Sequence, residues 1–258
     1  MQDARFVRVL LRRPDLRTPF PRKFAERLRG QTVVRVARRG KYLLVELSSG
    51  DTLVMHLGMS GAFSVAAGPS AERAEADRHD HVVFEMSPHA IVTFNDPRRF
   101  GFMDLVTRKA MPGHAALSKL GPEPLSPDFD AAALARACKG RKTSLKVALL
   151  DQRVVAGIGN IYASEALHRA GLSPRRKAST IATRTGAPLA GAVRLTAAIK
   201  AVLIDAIERG GSYAATRGHR FRVYEREGEP CLTKKCRGTI KRITQMGRST
   251  FFCPTCQK

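Results

Sequence analysis

Four of the five cysteines in this chain lie in its last 28 residues, in two closely spaced pairs. Cys231 and Cys236 form a C-x4-C pair, Cys253 and Cys256 form a C-x2-C pair, and sixteen residues separate the pairs. Each spacing lets two thiolates on one tight turn reach the same ion, and two such pairs complete a tetrahedral site. Because no ligand position is left for water, the pattern predicts one structural Zn²⁺ rather than four unrelated free cysteines. The ion would stabilise a module that is too small to bury its own core.

The residues between the two cysteine pairs predict a β-hairpin. Its strands are expected at 239–243 and 249–252, joined by a turn at 244–247. Arg248 stands beside that turn, where an arginine is either solvated or directed into a bound partner. Cys138, the fifth cysteine, falls on a predicted helix and is expected to be an ordinary core residue.

The chain carries a large excess of basic residues. Among its 258 residues, Lys and Arg number 45 and Asp and Glu 22, so the formal net charge is +23. The excess is concentrated at both ends, with thirteen Lys/Arg against three acids in 1–44 and eleven against three in 217–258. Such charge attracts polyanions, so nucleic acid is the expected partner, and a merely solvated basic surface is the alternative.

The sequence predicts no membrane segment. No run reaches the length of about 18–20 apolar residues that crosses a bilayer. The first residues are interrupted before a signal peptide could form, by Arg5, Arg8, Arg12 and Arg13. We therefore expect a cytoplasmic protein whose cysteines stay reduced.

Three kinds of segment follow one another along the chain. Residues 1–108 predict an antiparallel β-sandwich or barrel, because short apolar strands recur between turn signals. A proline-bounded linker at 109–127 leads to a helical domain at 128–220, and 221–258 form the cysteine module. The predicted strands are 33–36, 42–47, 52–57, 62–65, 82–85, 91–94 and 102–106, and the predicted helices are 128–138, 144–150, 162–170 and 189–209.

Five segments, together with the cysteine module, carry a resemblance to a known family. They are 38–44 (RRGKYLL), 56–61 (HLGMSG), 79–82 (HDHV), 96–101 (DPRRFG) and 157–165 (GIGNIYASE). From about Ala4 to its last residue the chain resembles formamidopyrimidine-DNA glycosylase. The sister endonuclease VIII group shares the fold but fits 56–61 and 96–101 less well.

The resemblance implies a multidomain fold and an activity. The fold is an N-terminal antiparallel β-sandwich, a helix-two-turns-helix domain and a C-terminal four-cysteine zinc finger hairpin, with DNA in the cleft between the two larger domains. The activity is base-excision repair, in which the enzyme removes oxidised purines such as formamidopyrimidines and 8-oxoguanine and cleaves the abasic site by β,δ-elimination. The implied partner is double-stranded DNA with oxidised bases or abasic sites, and we expect a monomer associated with the nucleoid.

The resemblance also implies catalytic and wedge residues. Lys41 matches a lysine that lines the active site and moves protons, although a lysine there is also compatible with a solvated strand end. Arg248 matches the hairpin arginine that binds phosphates around the extruded nucleotide and assists the second elimination. Met59, Arg98 and Phe100 match the side chains that fill the space left by that nucleotide, although Met59 and Phe100 taken singly are also compatible with a core.

Further residues match DNA-backbone contacts of the family. They are His79 and Lys142, with Lys146 as a second lysine candidate. Asn160 lies at the start of a helix whose first N–H groups are expected to face a phosphate. His81 is expected to be structural, because the two histidines of 79–82 lack a third ligand for a metal.

The start of the sequence departs from the family. There, a proline directly after the initiator methionine attacks C1′ of the sugar, displaces the base and forms a Schiff base, while the next residue, a glutamate, handles protons. This sequence begins Met1-Gln2-Asp3. Because 4–21 already follow the family pattern, we expect a misplaced start codon and about 15–20 further residues, a few turns of helix plus the Pro-Glu terminus. True loss of the pair, leaving a non-catalytic binder of damaged DNA, is the alternative.

The sequence also predicts two loops. A polar loop is expected at 67–78. Residues 212–222 are shorter than the family loop that closes over the extruded base. This difference affects the expected selectivity for 8-oxoguanine more than that for abasic or formamidopyrimidine sites.

A zinc-ribbon protein that binds RNA is a further alternative. It fits the charge and the cysteines, but it does not explain the wedge residues.

Overall fold

The computed structural model describes residues 1–68, 77–210 and 221–258. The chain divides into two compact units, which we call unit 1 (Met1–Ser118) and unit 2 (Lys119–Lys258). The loops expected at 67–78 and 212–222 fall largely outside the described ranges. Within those ranges, no helix has the length and apolar character needed to span a bilayer.

Unit 1 consists of two four-stranded antiparallel sheets. The strand orders are β1-β6-β7-β5 and β2-β3-β4-β8, so all seven strands predicted from the sequence are present. The elements are β1 (Phe6–Leu11), α1 (Phe24–Leu28), β2 (Val33–Arg39), β3 (Tyr42–Leu47), β4 (Thr52–His56), β5 (Ala62–Ala67), β6 (Asp80–Met86), β7 (Ala90–Asn95) and β8 (Phe102–Val106).

One apolar cluster lies between the two sheets of unit 1. Phe6, Phe84 and Phe94 come from the first sheet and are completely or almost completely buried. Val45 and Leu53, equally buried, come from the second. Removal of these faces from water holds the sheets together. The arrangement is a sandwich and excludes the barrel alternative.

The first two elements of unit 1 were not predicted. β1 pairs with β6, and Arg8 in its interior lies 3.7 Å from Glu85 on that strand. A basic side chain within the strand obscures the apolar pattern by which strands are recognised. Helix α1 has five residues, which is too short for a helical period to appear.

Unit 2 is helical and ends in the hairpin. Its elements are α2 (Ala131–Cys138), α3 (Leu145–Leu150), α4 (Asn160–Arg169), α5 (Ala190–Glu208), β9 (Lys241–Gln245) and β10 (Arg248–Phe252). The α2 helix begins where the Asp130 carboxylate accepts the N–H of Ala133 at 2.7 Å. Cys138 is fully buried, as predicted, and burial raises the pKa of its thiol to about 11.

The first strand of the hairpin ends two residues later than predicted, at Gln245, so the turn is shorter. Met246 and Gly247 both have positive φ, +48° and +70°, and they form the two-residue turn that suits the twist of paired strands. Arg248 is therefore the first residue of β10, paired with Gln245. The predicted four-residue turn at 244–247 is wrong because 244 and 245 still belong to β9.

Candidate nucleic-acid interface

The four cysteines of the predicted zinc site come together in unit 2. Their sulfur atoms all lie within 4.8 Å of one another, and Cys231–Cys256 and Cys236–Cys253 are each 3.7 Å apart. A tetrahedron with zinc–sulfur bonds of about 2.3 Å has edges of about 3.8 Å, so these residues fit the ion. A bound zinc supplies folding energy to the module.

Two predicted motifs meet in unit 1, the loop 56–61 after β4 and the loop 96–101 after β7. Asp96, which is fully buried, holds them together. Its Oδ1 accepts the hydroxyl of Ser60 at 2.6 Å, and its Oδ2 accepts the N–H of Gly101 at 2.7 Å. One carboxylate thus fixes both loops to the end of β7.

The three predicted wedge residues lie on these loops. Met59 is 73% exposed and Phe100 is 42% exposed, so neither is a core residue. The guanidinium carbon of Arg98 lies 4.7 Å from the centre of the Phe100 ring, which is a cation–π contact. Gly58 has a φ of +68°, and a Cβ there would collide with the backbone of Phe100. That close approach keeps Met59 beside the stacked pair.

We expect Asp96→Ala to separate the two loops. The buried N–H of Gly101 and the partly buried hydroxyl of Ser60 lose their acceptor, so the free energy of unfolding of unit 1 should fall by about 2–4 kcal/mol, measured by chemical denaturation. Amide hydrogen exchange at Gly101 should accelerate. Ser60→Ala removes one of the two bonds and is the matched control. An unchanged exchange rate at Gly101 in Asp96→Ala would contradict the assignment.

Lys41 and His79 lie near the same loops of unit 1. Lys41 is exposed and precedes β3. Burial, and then the charge of Lys41, lower the pKa of His56. The Nδ1 of His56 accepts the N–H of Gly58 at 2.9 Å. His56 therefore interacts both with the charge of Lys41 and with the loop 56–61 that carries Met59, which we call the Met59 loop. The carbonyl of His79 accepts the N–H of Asp96 at 3.0 Å.

Lys146 is the predicted DNA contact that the structure contradicts. The residue is fully buried, and its ammonium donates to Asn160 Oδ1 at 2.7 Å, to the Ser249 carbonyl at 3.0 Å and to Thr250 Oγ1 at 2.7 Å. An ammonium has three protons, and all three have internal acceptors. Lys146 therefore ties α3 to α4 and to the hairpin instead of facing a phosphate.

We expect Lys146→Met to destabilise unit 2 by about 3 kcal/mol, because three acceptors lose their donor. Burial, and then the charge of Arg248, lower the pKa of Lys146 to about 8. The unfolded chain, with a lysine pKa of about 10.4, binds more protons between these values, so wild-type stability rises with pH there relative to the variant. Urea titrations of both proteins across this window measure the difference, and a flat or falling difference would count against the assignment.

The other predicted residues of unit 2 occupy different positions. Lys142 is exposed before α3, and Arg248 is exposed at the start of β10. The Asn160 side chain is used internally, since it also donates to the Ser249 carbonyl at 2.9 Å. What the start of α4 offers to a phosphate is its first backbone N–H groups, which have no acceptor within a helix.

Arginines line a concave surface in unit 2. Arg141, Arg153 and Arg248 surround a cavity of about 420 Å³ together with Met246 at the hairpin turn. Arg141 and Arg153 also bind the carboxylate of Asp151 at 2.9 and 2.8 Å. A concave basic surface of this kind suits a phosphate backbone.

Glu165 is a site residue that was not predicted, although it belongs to the motif 157–165. It is buried on α4, and its carboxylate accepts three backbone N–H groups at 2.9 Å, from Arg222, Val223 and Tyr224. The sequence contained one signal for the role of Glu165, namely an acidic residue on the buried face of a predicted helix. Glu165 fixes the point where the chain enters the zinc module.

Exposed apolar and cationic side chains on one unit, and a basic hairpin beside a zinc site on the other, define a protein that binds damaged DNA. Family models match most of the chain: the formamidopyrimidine-DNA glycosylase N-terminal domain over 1–103, its H2TH domain over 120–217, and the zinc finger found in FPG and IleRS over 228–258. The chain belongs to the formamidopyrimidine-DNA glycosylase family.

Curated relatives agree over the full length. The formamidopyrimidine-DNA glycosylase of Afipia carboxidovorans is 55% identical over 277 residues, and that of Rhodopseudomonas palustris strain HaA2 is 57% identical over 275. Both alignments cover 100% of this chain and 94% of the relative. The chain is accordingly a base-excision repair DNA glycosylase by family, it acts on DNA inside the cell, and the non-catalytic alternative is not favoured.

Solved structures show the same fold. Lactococcus lactis formamidopyrimidine-DNA glycosylase bound to DNA with an AP site has a TM-score of 0.87 at 28% identity, covering 100% of this chain and 94% of that one. The same enzyme with FAPY-dG DNA has a TM-score of 0.86 at 28% identity, covering 99% and 93%. MutM with carbocyclic 8-oxo-G DNA has a TM-score of 0.86 at 29% identity, covering 100% and 94%.

Proposed function

We propose that this enzyme removes formamidopyrimidines and 8-oxoguanine from duplex DNA and cleaves the resulting abasic site by β,δ-elimination. The observation that carries the proposal is the exposed set of Met59, Arg98 and Phe100. A glycosylase must take its nucleotide out of the base stack, and exposed apolar and cationic side chains on a fixed loop fill the space it leaves. The substrates bound in the solved relatives support the lesion class.

The roles of the remaining residues follow from their charge and position. Exposed Lys142 and Arg248 are assigned to phosphates, and Arg248 also to the second elimination step. His79 is assigned to the DNA backbone, since its carbonyl binds the N–H of Asp96, the residue that holds the two loops of the wedge residues. Lys41 is assigned to the nucleotide being processed, as a cation near His56 and the Met59 loop. The net charge of +23 supports a monomer associated with the nucleoid.

The test is incision and borohydride trapping on four matched duplexes, which carry 8-oxoguanine, a formamidopyrimidine, an abasic site or no lesion. The native protein should incise the first three, form a trapped covalent adduct with them and leave the fourth intact. Trapping reports the Schiff base, and the gel mobility of the incised strand separates β- from β,δ-elimination. Equal activity on the undamaged duplex, or incision without a trapped adduct, would contradict the proposal.

The native protein and a recombinant chain of residues 1–258 are compared in the same assay. Intact mass of the native protein, together with the in-frame codons upstream of Met1, identifies the amine that is available to form the Schiff base. Covalent trapping by the native protein, through the amine so identified, is the expected result. A native mass equal to that of 1–258, without trapping, would favour the non-catalytic binder.

A further inference from the structure

His168 connects the helical part of unit 2 to the four-cysteine site. It lies in the last turn of α4 and is 4% exposed. Its Nε2 is 3.4 Å from the sulfur of Cys231 and 3.8 Å from that of Cys256. It also lies 3.2 Å from Oγ1 of Thr233. A ring nitrogen from a helix thus faces two of the four zinc ligands.

The surroundings of the ring decide which nitrogen carries the proton. The sulfurs of Cys231 and Cys256 are thiolates when they hold a metal, so they accept hydrogen bonds and do not donate them. Among the described residues, the Nδ1 of His168 is buried and has no hydrogen-bond partner. A proton on Nδ1 would be a buried donor without an acceptor, which costs about 1–3 kcal/mol. The Nε2 proton has acceptors.

Other donors at the sulfurs come from the module itself. The N–H of Thr233 points at Cys231 at 3.5 Å, and that of Gly238 points at Cys236 at 3.4 Å. Both belong to the turn that carries the ligands, so they form together with it. His168 belongs to α4 and approaches the sulfurs from another element. Its contact therefore links the ligand set to the helix.

The α4 helix is also held to the module at its first residue and in its middle. Asn160 at its first residue binds the Ser249 carbonyl of β10, and Glu165 binds the segment that leads into the module. His168 lies eight residues after Asn160, which is about 12 Å along a helix. The helix thus spans from the metal ligands to the strand that begins with Arg248.

We propose that His168 is a positioning residue for the zinc, in which its Nε2–H donates to the thiolate of Cys231, and secondarily to that of Cys256, and so fixes the metal site to α4. Loss of a hydrogen bond of this kind behind a ligand typically lowers metal affinity by about 10–100-fold. The zinc should therefore leave the protein faster when the donor is removed. The orientation of β10 depends on the same helix, so DNA affinity should fall as well.

Two variants separate the hydrogen bond from packing. His168→Phe keeps an aromatic ring but has no N–H, whereas His168→Gln places an amide N–H near the position of Nε2. We expect transfer of zinc to a colorimetric chelator to be about 10–100-fold faster for His168→Phe, and close to the wild-type rate for His168→Gln. Equal acceleration in both variants, or no acceleration in either, would overturn the proposal.

Cobalt substitution gives a readout that a purely structural role would not change. An N–H donor lowers the energy of the sulfur lone pairs, so its loss moves the sulfur-to-cobalt charge-transfer band to longer wavelength. We expect that shift in His168→Phe, and a band at the wild-type position in His168→Gln. A band at the wild-type position in a folded, cobalt-loaded His168→Phe protein would contradict the hydrogen bond.

If His168→Phe does not fold, the wild-type protein decides. In ¹⁵N-labelled protein loaded with ¹¹³Cd, the hydrogen bond predicts a proton on Nε2 of His168 and a scalar coupling between that proton and the metal. A proton on Nδ1, or an Nε2 proton without the coupling, would overturn the proposal.

Discussion

Removal of the zinc is expected to abolish specific DNA binding while unit 1 stays folded. Chelation, or Cys253→Ser, should lower affinity for a duplex with an abasic-site analogue by at least about 100-fold, because the metal supplies most of the folding energy of a small module. The module carries Arg248 and two of the three acceptors of Lys146. Unit 1 keeps its own core, so its sheets should be unaffected.

The measurement combines fluorescence anisotropy with hydrogen exchange. Anisotropy gives the affinity, and exchange at the amides of β6 and β7 reports whether unit 1 is intact. Cys138→Ala is the matched control, since this cysteine is buried far from the metal ligands in sequence and belongs to the helical core. Unchanged DNA affinity in the metal-free protein would contradict the prediction. A loss of affinity in Cys138→Ala equal to that in Cys253→Ser would contradict it as well.

Arg98→Ala is expected to weaken binding to damaged DNA more than binding to undamaged DNA. In the proposed wedge role, the Arg98–Phe100 pair fills the space of the extruded nucleotide, and that space exists only in the lesion complex. A loss of about tenfold or more in the ratio of the two affinities corresponds to at least about 1.4 kcal/mol. Competition titrations with duplexes of identical sequence, with and without the lesion, measure the ratio.

Lys142→Ala is the matched control for Arg98→Ala. A phosphate contact is made on any duplex, so this variant should weaken both complexes alike and reduce the steepness with which log K falls with log salt by about one unit. Both variants remove one positive charge from an exposed position. Equal changes in the affinity ratio for the two variants would count against the wedge role of Arg98.

Sequence patterns that span only a few residues predicted the metal ligands and seven strands of unit 1. The C-x4-C and C-x2-C spacing predicted the four-sulfur site, which Cys231, Cys236, Cys253 and Cys256 form, because ligands on tight turns converge wherever the turns lie. Short apolar runs between turn signals predicted seven strands of the sandwich, since both signals lie within a few residues of one another. β1 escaped prediction because Arg8 interrupts it and pairs with Glu85, a partner that only the fold supplies.

The fates of individual polar side chains were decided by the tertiary structure. Lys146 and Lys142 stand four residues apart in one basic segment, yet Lys142 is exposed and Lys146 is buried against Ser249 and Thr250, more than a hundred residues away. Asp96 likewise finds Ser60, 36 residues earlier.

The sequence by itself determined the zinc ligands, the sandwich and the family, because each depends on residues close together or on motifs that can be recognised along the chain. Only the tertiary structure decided which cations face outward and which are anchors, because burial and hydrogen-bond partners come from segments distant in sequence. His168 illustrates the difference. On the helix pattern it is one polar residue in a last turn, and its role appears only when folding brings it to the sulfur of Cys231.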